Sequence, residues 1–230
     1  MSGRSPRWFT GIWGNYSDNF ADNTWEQIIA VCQKKIVPPT WKVGDQKAMT
    51  IGGTDYLIDI IGINHDTYTA GGTAPLTFGL HDCYADTKAM NSSNTNSGGW
   101  KNSAMRTTHL PAILALMPTE VQNGIREVNK RTSAGSQSAT INTTADKLFL
   151  LSEIEIFGSV SYSKRGEGTQ YDYYKAGNSK VKKRNGSAAN WWERSPHTNN
   201  SAAFCLVVSN GSANVFAASR ADGVAFGFCF

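Results

Sequence analysis

The chain has 230 residues, 40% of them hydrophobic and 11% aromatic, with a formal net charge of +4. That composition suits a globular domain with a sizeable core and excludes a disordered chain. The small positive excess, with no basic face interleaved with aromatics, argues against a nucleic-acid partner, and no run nears the roughly 18 apolar residues of a membrane span.

In chain order, residues 1–22 carry Trp8, Phe9, Trp13, Tyr16 and Phe20 without a regular period. Such a segment either packs on its own domain or docks a partner; packing is expected, because aromatic clusters are rare on the surfaces of monomers. Residues 1–14 lack the apolar core of a signal peptide, so synthesis in the cytoplasm is expected. Thr24-x-x-Gln27 matches a capping box. Trp25, Ile28, Ile29 and Cys32 follow at helical spacing, and Pro38-Pro39 stops the helix. From Trp41 the character is β. Segments 48–51 and 56–61 about Gly52-Gly53 predict a hairpin, and 76–80 a further strand. Residues 84–101, with NSSNTNSGGW at 91–100, read as a loop. Segments 103–110 and 119–124 predict short helices, 125–130 a strand, and the Ser/Thr/Gly-rich 132–144 a loop. DKLFLLS at 146–152 predicts an apolar strand, which 153–158 continues or turns. An aromatic segment fills 168–174, and the basic cluster of Lys180, Lys182, Lys183 and Arg184 reads as a solvated turn.

The last forty or so residues organise the rest. Phe204, Leu206 and Val208 predict a strand with Cys205 and Val207 on its other face. Val224, Phe226, Phe228 and Phe230 alternate with small residues, which predicts a strand with one buried face. Trp191, Trp192 and Arg194 read as framework, one Trp on each face of a strand and Arg194 holding the loops from beneath. Polar and small residues lie between, punctuated by Gly211 and Gly223. A stiff frame carrying exposed, turn-rich segments is a common basis for a binding surface. The candidate ligand-binding residues are His197, Thr198, Asn199, Ala203, Leu206, Ser209, Asn210, Ser212, Asn214, Val215, Phe216, Ser219, Arg220 and Asp222. They are expected to include a contiguous solvent-facing patch, with Phe216 and Arg220 as anchors.

Catalytic chemistry is less well supported. His65-Asp66 and His81-Asp82, with Cys83 alongside, could bind a metal or form a Cys/His pair. No HExxH, GxSxG or CxxC pattern accompanies them, so no catalytic residue, metal or cofactor is expected. A free pair and a disulfide both fit Cys205 and Cys229. Only one carboxylate, Asp222, lies in 197–203 and 209–222, too few for a hard cation.

The pattern WW-x-RSP at Trp191–Pro196, then Phe204, Val207, Gly211 and GVAFGFCF from Gly223, resembles a C-type-lectin-fold family of phages and bacteria. Many of its members are variable proteins of diversity-generating retroelements. Trp41-x-x-Gly44-Asp45, Met90, Trp100, Arg106 and DKLFLLSEIEIFG resemble further family segments, so the likeness runs from about residue 41 to 230. Ala225 and Phe226 stand where many related domains have Arg-Pro. In such systems randomised adenines in Asn codons cannot generate Lys, Glu, Gln, Met or Trp, and none of these follows Glu193.

The resemblance implies an α+β, C-type-lectin-like fold of irregular antiparallel sheets with few short helices. Residues 1–40, an aromatic arm and helix, are expected on their own composition to be a segment for docking or homo-oligomerisation; the resemblance makes 41–230 the ligand-binding domain, variable over about 190–230. It implies a receptor-binding protein of a phage tail that recognises a host cell-surface protein or glycan, located in the virion, without membrane insertion. A structural virion component making protein–protein contacts is the alternative, and a metal or Cys/His hydrolase a more remote one.

Overall fold

In the computed structural model residues 8–9 and 16–230 are described, and Trp13 lies outside them. β1 (Trp8–Phe9) pairs antiparallel with β2 (Tyr16–Ser17). A 3-10 turn at Phe20–Asp22 leads into α1 (Trp25–Gln33). The capping box is formed: Thr24 Oγ1 accepts from the Gln27 N–H, and the Gln27 side chain accepts from the Thr24 N–H. These bonds satisfy backbone donors that the first helical turn leaves unpaired. α1 buries Trp25, Ile28, Ile29 and Cys32. The Trp25 ring meets Phe78 and Phe230 edge-on, each at 5.9 Å, and Phe20 meets Trp41 at 5.2 Å. The helix shares one hydrophobic cluster with the sheet behind it.

β3 (Gln46–Ile51) and β4 (Thr54–Ile63) form the expected hairpin, and β5 (Leu76–Leu80) pairs with β4. After β6 (Lys88–Ala89) and a polar loop come α2 (Gly99–Asn102), a π-helical turn at Met105–His109, α3 (Leu110–Leu114) and α4 (Thr119–Gly124). β7 (Val128–Ser133) and β8 (Ile141–Asp146) make a hairpin, so strands occupy much of the segment expected as loop. Its Thr and Ser side chains suit a strand as well as a turn. β9 (Leu148–Leu150) is followed by α5 (Glu153–Phe157), where a strand continuation or a turn was expected. Ser152 starts this helix with its own capping box to Glu155. α6 (Asp172–Lys175) and the hairpin β10 (Lys182–Arg184) and β11 (Ser187–Ala189) come next. Lys182 is buried, its ammonium donating to the Leu80 and His81 carbonyls, so only part of the basic cluster is solvated.

The chain ends with β12 (Trp191–Pro196), β13 (Ala203–Val207), β14 (Ala213–Ala217), β15 (Ala221–Asp222) and β16 (Phe226–Cys229). A five-stranded sheet in the order β3-β4-β5-β16-β9 forms the core, and a three-stranded sheet β12-β13-β14 carries the C-terminal face. The fold is α+β, with antiparallel strand pairs and short helices. β16 is buried on both sides rather than one, since Phe226, Gly227, Phe228 and Cys229 are all covered. Gly227 permits this: a Cβ there would stand 2.8 Å from the Phe78 carbonyl oxygen and 2.9 Å from the Phe149 ring.

Phe228 stacks on Phe78 at 5.2 Å and is fully buried. Phe228→Ala is expected to cost about 3–5 kcal/mol in chemical denaturation; a cost below about 1 kcal/mol would contradict this packing.

Candidate functional site

The C-terminal face is built on the register of one small sheet. β13 is its middle strand, running from Ala203↔Ala217 at one end to Val207↔Ala213 at the other. Turn 197–202, between β12 and β13, and turn 218–220, after β14, share the first end, where the Ala218 N–H donates to the Ala202 carbonyl at 2.8 Å. Turn 208–212 lies at the opposite end. The outer strand β14 joins the two groups, so the candidate residues follow a strip along an open sheet edge.

Their exposure divides them. Asn199, Ser209, Asn210, Ser212, Ser219 and Arg220 are exposed, while His197, Thr198, Asn214, Val215 and Phe216 are half-buried. Ala203, Leu206 and Asp222 are buried, which corrects their expected place on the surface. Ala203 and Leu206 belong to the middle strand, covered on both faces like Phe204, Cys205 and Val207. Asp222 pairs with Lys88 across the β15–β6 ladder and sits 3.1 Å from Arg220 Nε. The Thr198 hydroxyl is buried without a hydrogen-bond partner, so this side chain also turns partly inward.

The turns are held mainly through their backbone, by residues from elsewhere in the chain. Asn96 is completely buried. Its amide nitrogen donates to the carbonyls of Asn200 at 2.9 Å and Ala203 at 2.8 Å. Its own N–H donates to the Ser201 carbonyl at 2.7 Å, and its Oδ1 accepts from the Ser136 N–H at 2.7 Å. Gly135 lets this turn close, because a Cβ there would stand 1.7 Å from the Asn96 carbonyl oxygen. The Tyr162 carbonyl accepts from the Thr198 N–H at 2.8 Å, Asn190 Oδ1 from the Ser209 N–H at 2.9 Å, and Asn94 Oδ1 from the Ser219 N–H at 3.2 Å. Asn96, Asn94, Tyr162 and Asn190 were not among the expected site residues. Some side chains within the turns contribute local bonds as well: His197 Nδ1 accepts from the Asn199 N–H, and Asn210 Oδ1 from the Ser212 N–H.

Beneath this face lies a buried ionic network. Arg194 donates to Glu155 through both terminal nitrogens, to the Leu150 carbonyl at 2.9 Å, to the Glu167 carbonyl at 2.6 Å and to Thr132 Oγ1 at 3.0 Å. It thus anchors β12 to the core instead of supporting the outer turns directly, as the sequence had suggested. Lys130 bonds Asp66 at 2.6 Å, Glu155 at 3.1 Å and the Tyr171 hydroxyl at 2.8 Å. Burial alone would raise the Asp66 carboxyl, but Lys130 and Thr77 outweigh it and hold it at about 2. Three more buried carboxylates lie near β12. Glu153 accepts from the N–H groups of Ser161, Tyr162 and Ser163. Burial pushes Glu167 up to about 7, offset in part by bonds from the Ser195 hydroxyl and the Ser133 N–H. Glu193 has no hydrogen-bond partner on either oxygen, and burial, then Glu153 and Glu167, raise it well above the usual carboxylate range.

The His-Asp dipeptides are occupied structurally. Asp66 belongs to the Lys130 network, His65 stacks on Tyr171 at 4.0 Å, and His81 bonds Asp59 at 3.0 Å. Among the described residues no group of three or more His, Cys, Asp or Glu side chains is placed to hold a metal ion. All four cysteines are free and buried, so Cys205 and Cys229 are not bridged; burial pushes the Cys83 thiol up to about 12.

Glu167 carries a pH prediction. Its folded-state pKa lies above the ordinary glutamate value of 4.5, so the folded chain binds this proton more tightly than the unfolded chain. The resulting stability is complete below about pH 4.5 and is lost as the pH rises to about 7, by at most about 3 kcal/mol. Denaturation midpoints measured from pH 4.5 to 7 should fall, and Glu167→Gln, which keeps an acceptor for Ser133 and adds a donor toward Ser195, should flatten that trend. An equally steep trend in the variant would contradict the assignment.

No curated protein and no solved structure matches the chain. One family model matches residues 77–229, under the description Domain of unknown function (DUF6273). The matched span starts within β5 and runs through Asn96, the ionic network apart from Asp66, and the whole C-terminal face, and the chain belongs to this family.

Proposed function

We propose that the chain is a ligand-binding protein of the C-type-lectin-like kind, whose C-terminal surface is diversified by a retroelement, and that it serves as a host-adhesion protein of a phage tail. The observation that carries this reading is how the C-terminal turns are secured. Asn96, Asn94, Tyr162 and Asn190 hold their backbone. Exposed side chains such as Asn199, Ser209 and Ser212 project from that backbone. A fixed backbone carrying lightly burdened side chains can change its recognition chemistry at little cost in stability. The absence of Lys, Glu, Gln, Met and Trp after Glu193 agrees with adenine-directed variation. Binding, not catalysis, is the role, and the protein would be made in the host cytoplasm, assemble into the virion through its N-terminal region, and meet a host cell-surface molecule.

Joint replacement of Asn199, Ser209, Asn210, Ser212 and Ser219 by other small polar residues should leave the melting temperature within about 4 °C while changing which bacterial surfaces the protein labels. Collapse of the fold, or unchanged labelling across many such variants, would refute the binding face. Sequencing the DNA beside the gene tests the retroelement: a near-copy of the 3′ end differing only at adenines, next to a reverse transcriptase, is expected, and its absence would refute the diversification.

A further inference from the structure

One cation on the C-terminal face is held in a fixed pose. Arg220 closes the turn after β14, its N–H donating to the Ala217 carbonyl at 3.0 Å. The preceding Ser219 is tied down by Asn94. The Arg220 guanidinium carbon lies 4.0 Å from the Phe216 ring centroid, and its Nε is 3.1 Å from Asp222 Oδ2. The side chain is nonetheless 45% exposed. Phe216 thus covers one face of the guanidinium, and Asp222 faces Nε as an ion pair whose Oδ2 accepts no hydrogen bond from the described residues. Among the described residues neither terminal nitrogen has a hydrogen-bond partner.

A half-exposed ion pair of this kind contributes little to stability. Its larger effect is on orientation. A guanidinium stacked on a ring and drawn toward a buried carboxylate has given up part of its rotational freedom before any ligand arrives, which lowers the entropic cost of binding. The free edge is the planar two-donor fork that matches a carboxylate.

We propose that Arg220 is a carboxylate-recognition anchor, and that its ligand is an acidic glycan carrying uronic or sialic acid. The proposal rests on the binding-face reading above. A monoanion is favoured because Arg220 is the only Lys or Arg after Arg194, and Asp222 already takes part of its charge. A glycan is favoured over a protein by the neighbouring chemistry. Asn199 offers an exposed amide, and Ser219 a hydroxyl that donates to Asn94 and keeps its acceptor capacity, both suited to sugar hydroxyls. Among the described residues the large exposed apolar side chains, Ile36, Leu57 and Leu116, all lie outside the C-terminal stretch, whereas protein interfaces draw their affinity from desolvated aromatic and apolar anchors.

The test is an array of uronic- and sialic-acid glycans printed beside their methyl esters, with poly-L-glutamate as a further probe. The full chain, Arg220→Lys and Arg220→Gln are applied after their melting temperatures have been matched. At least about tenfold weaker binding to the esters is expected, with a loss of about tenfold or more for either variant on the free acids. Equal binding to acid and ester, no binding to any acidic glycan, or an acid preference that survives Arg220→Gln would overturn the proposal. Poly-L-glutamate bound as tightly as the acidic glycans, with the same dependence on Arg220, would overturn the glycan assignment. A variant with Asn199, Ser209 and Ser212 replaced separates the two readings. If its array profile changes while Arg220 and esterification have no effect, the binding face stands and this proposal falls. If neither it nor the Arg220 variants alter any binding, the binding face falls as well.

Discussion

A buried guanidinium must find partners for its donors or lose several kcal/mol of solvation, and Arg194 meets that demand by drawing four parts of the chain together. Its donors reach Glu155 in α5, Leu150 in β9, Thr132 in β7 and the Glu167 carbonyl in the loop beyond. Lys130 extends the network to Asp66 and Tyr171, so two cations face two carboxylates. β12 is thereby fixed against the core. β13 takes its register from β12, with Trp191 opposite Val207 and Trp192 opposite Leu206, and β14 takes its register from β13. The strip of exposed residues on β14 and its flanking turns is placed, through this ladder, by a charge cluster it does not touch.

The second constraint is a division of labour in the turns. Their conformation is specified largely by bonds to backbone atoms, through side chains such as Asn96 and Asn190 that lie outside the exposed set. A bond to a carbonyl oxygen or an N–H survives a change of side chain, whereas a bond between two side chains does not. The division is incomplete: His197 and Asn210 support their own turns, and Phe216 is half-buried beneath Arg220. Residues that shape the surface without being locked into it are the feature that favours a binding role over a purely structural one.

Much of the scaffold was legible in the sequence. α1 announced itself by the Thr24–Gln27 capping box and its apolar period, and the β3–β4 hairpin by Gly52-Gly53. α5 carried the same capping signal at Ser152 and Glu155, but the apolar run before it suggested a continuing strand. The β7–β8 hairpin was hidden because Ser and Thr serve turns and strands alike. For the site, turn residues such as Asn199 and Ser212 were readable as exposed. Ala203, Leu206 and Asp222 were not, because the side of a strand that faces water depends on what covers the sheet. Asn96 was not readable as a clamp either. It sits in a polar loop, and the carbonyls it holds lie 104 and 107 residues further along the chain.

The backbone of the C-terminal turns depends on residues outside the exposed set. Amide hydrogen exchange compares two variants most directly: Asn96→Ala, and a second with Asn199, Ser209 and Ser212 all changed to Ala. The amides to follow are those of His197, Thr198 and Ala218, which donate to Ala203, Tyr162 and Ala202. Asn96→Ala is expected to lower their protection by roughly tenfold or more while the triple variant leaves it unchanged. Protection lost in the triple variant and kept in Asn96→Ala would contradict it.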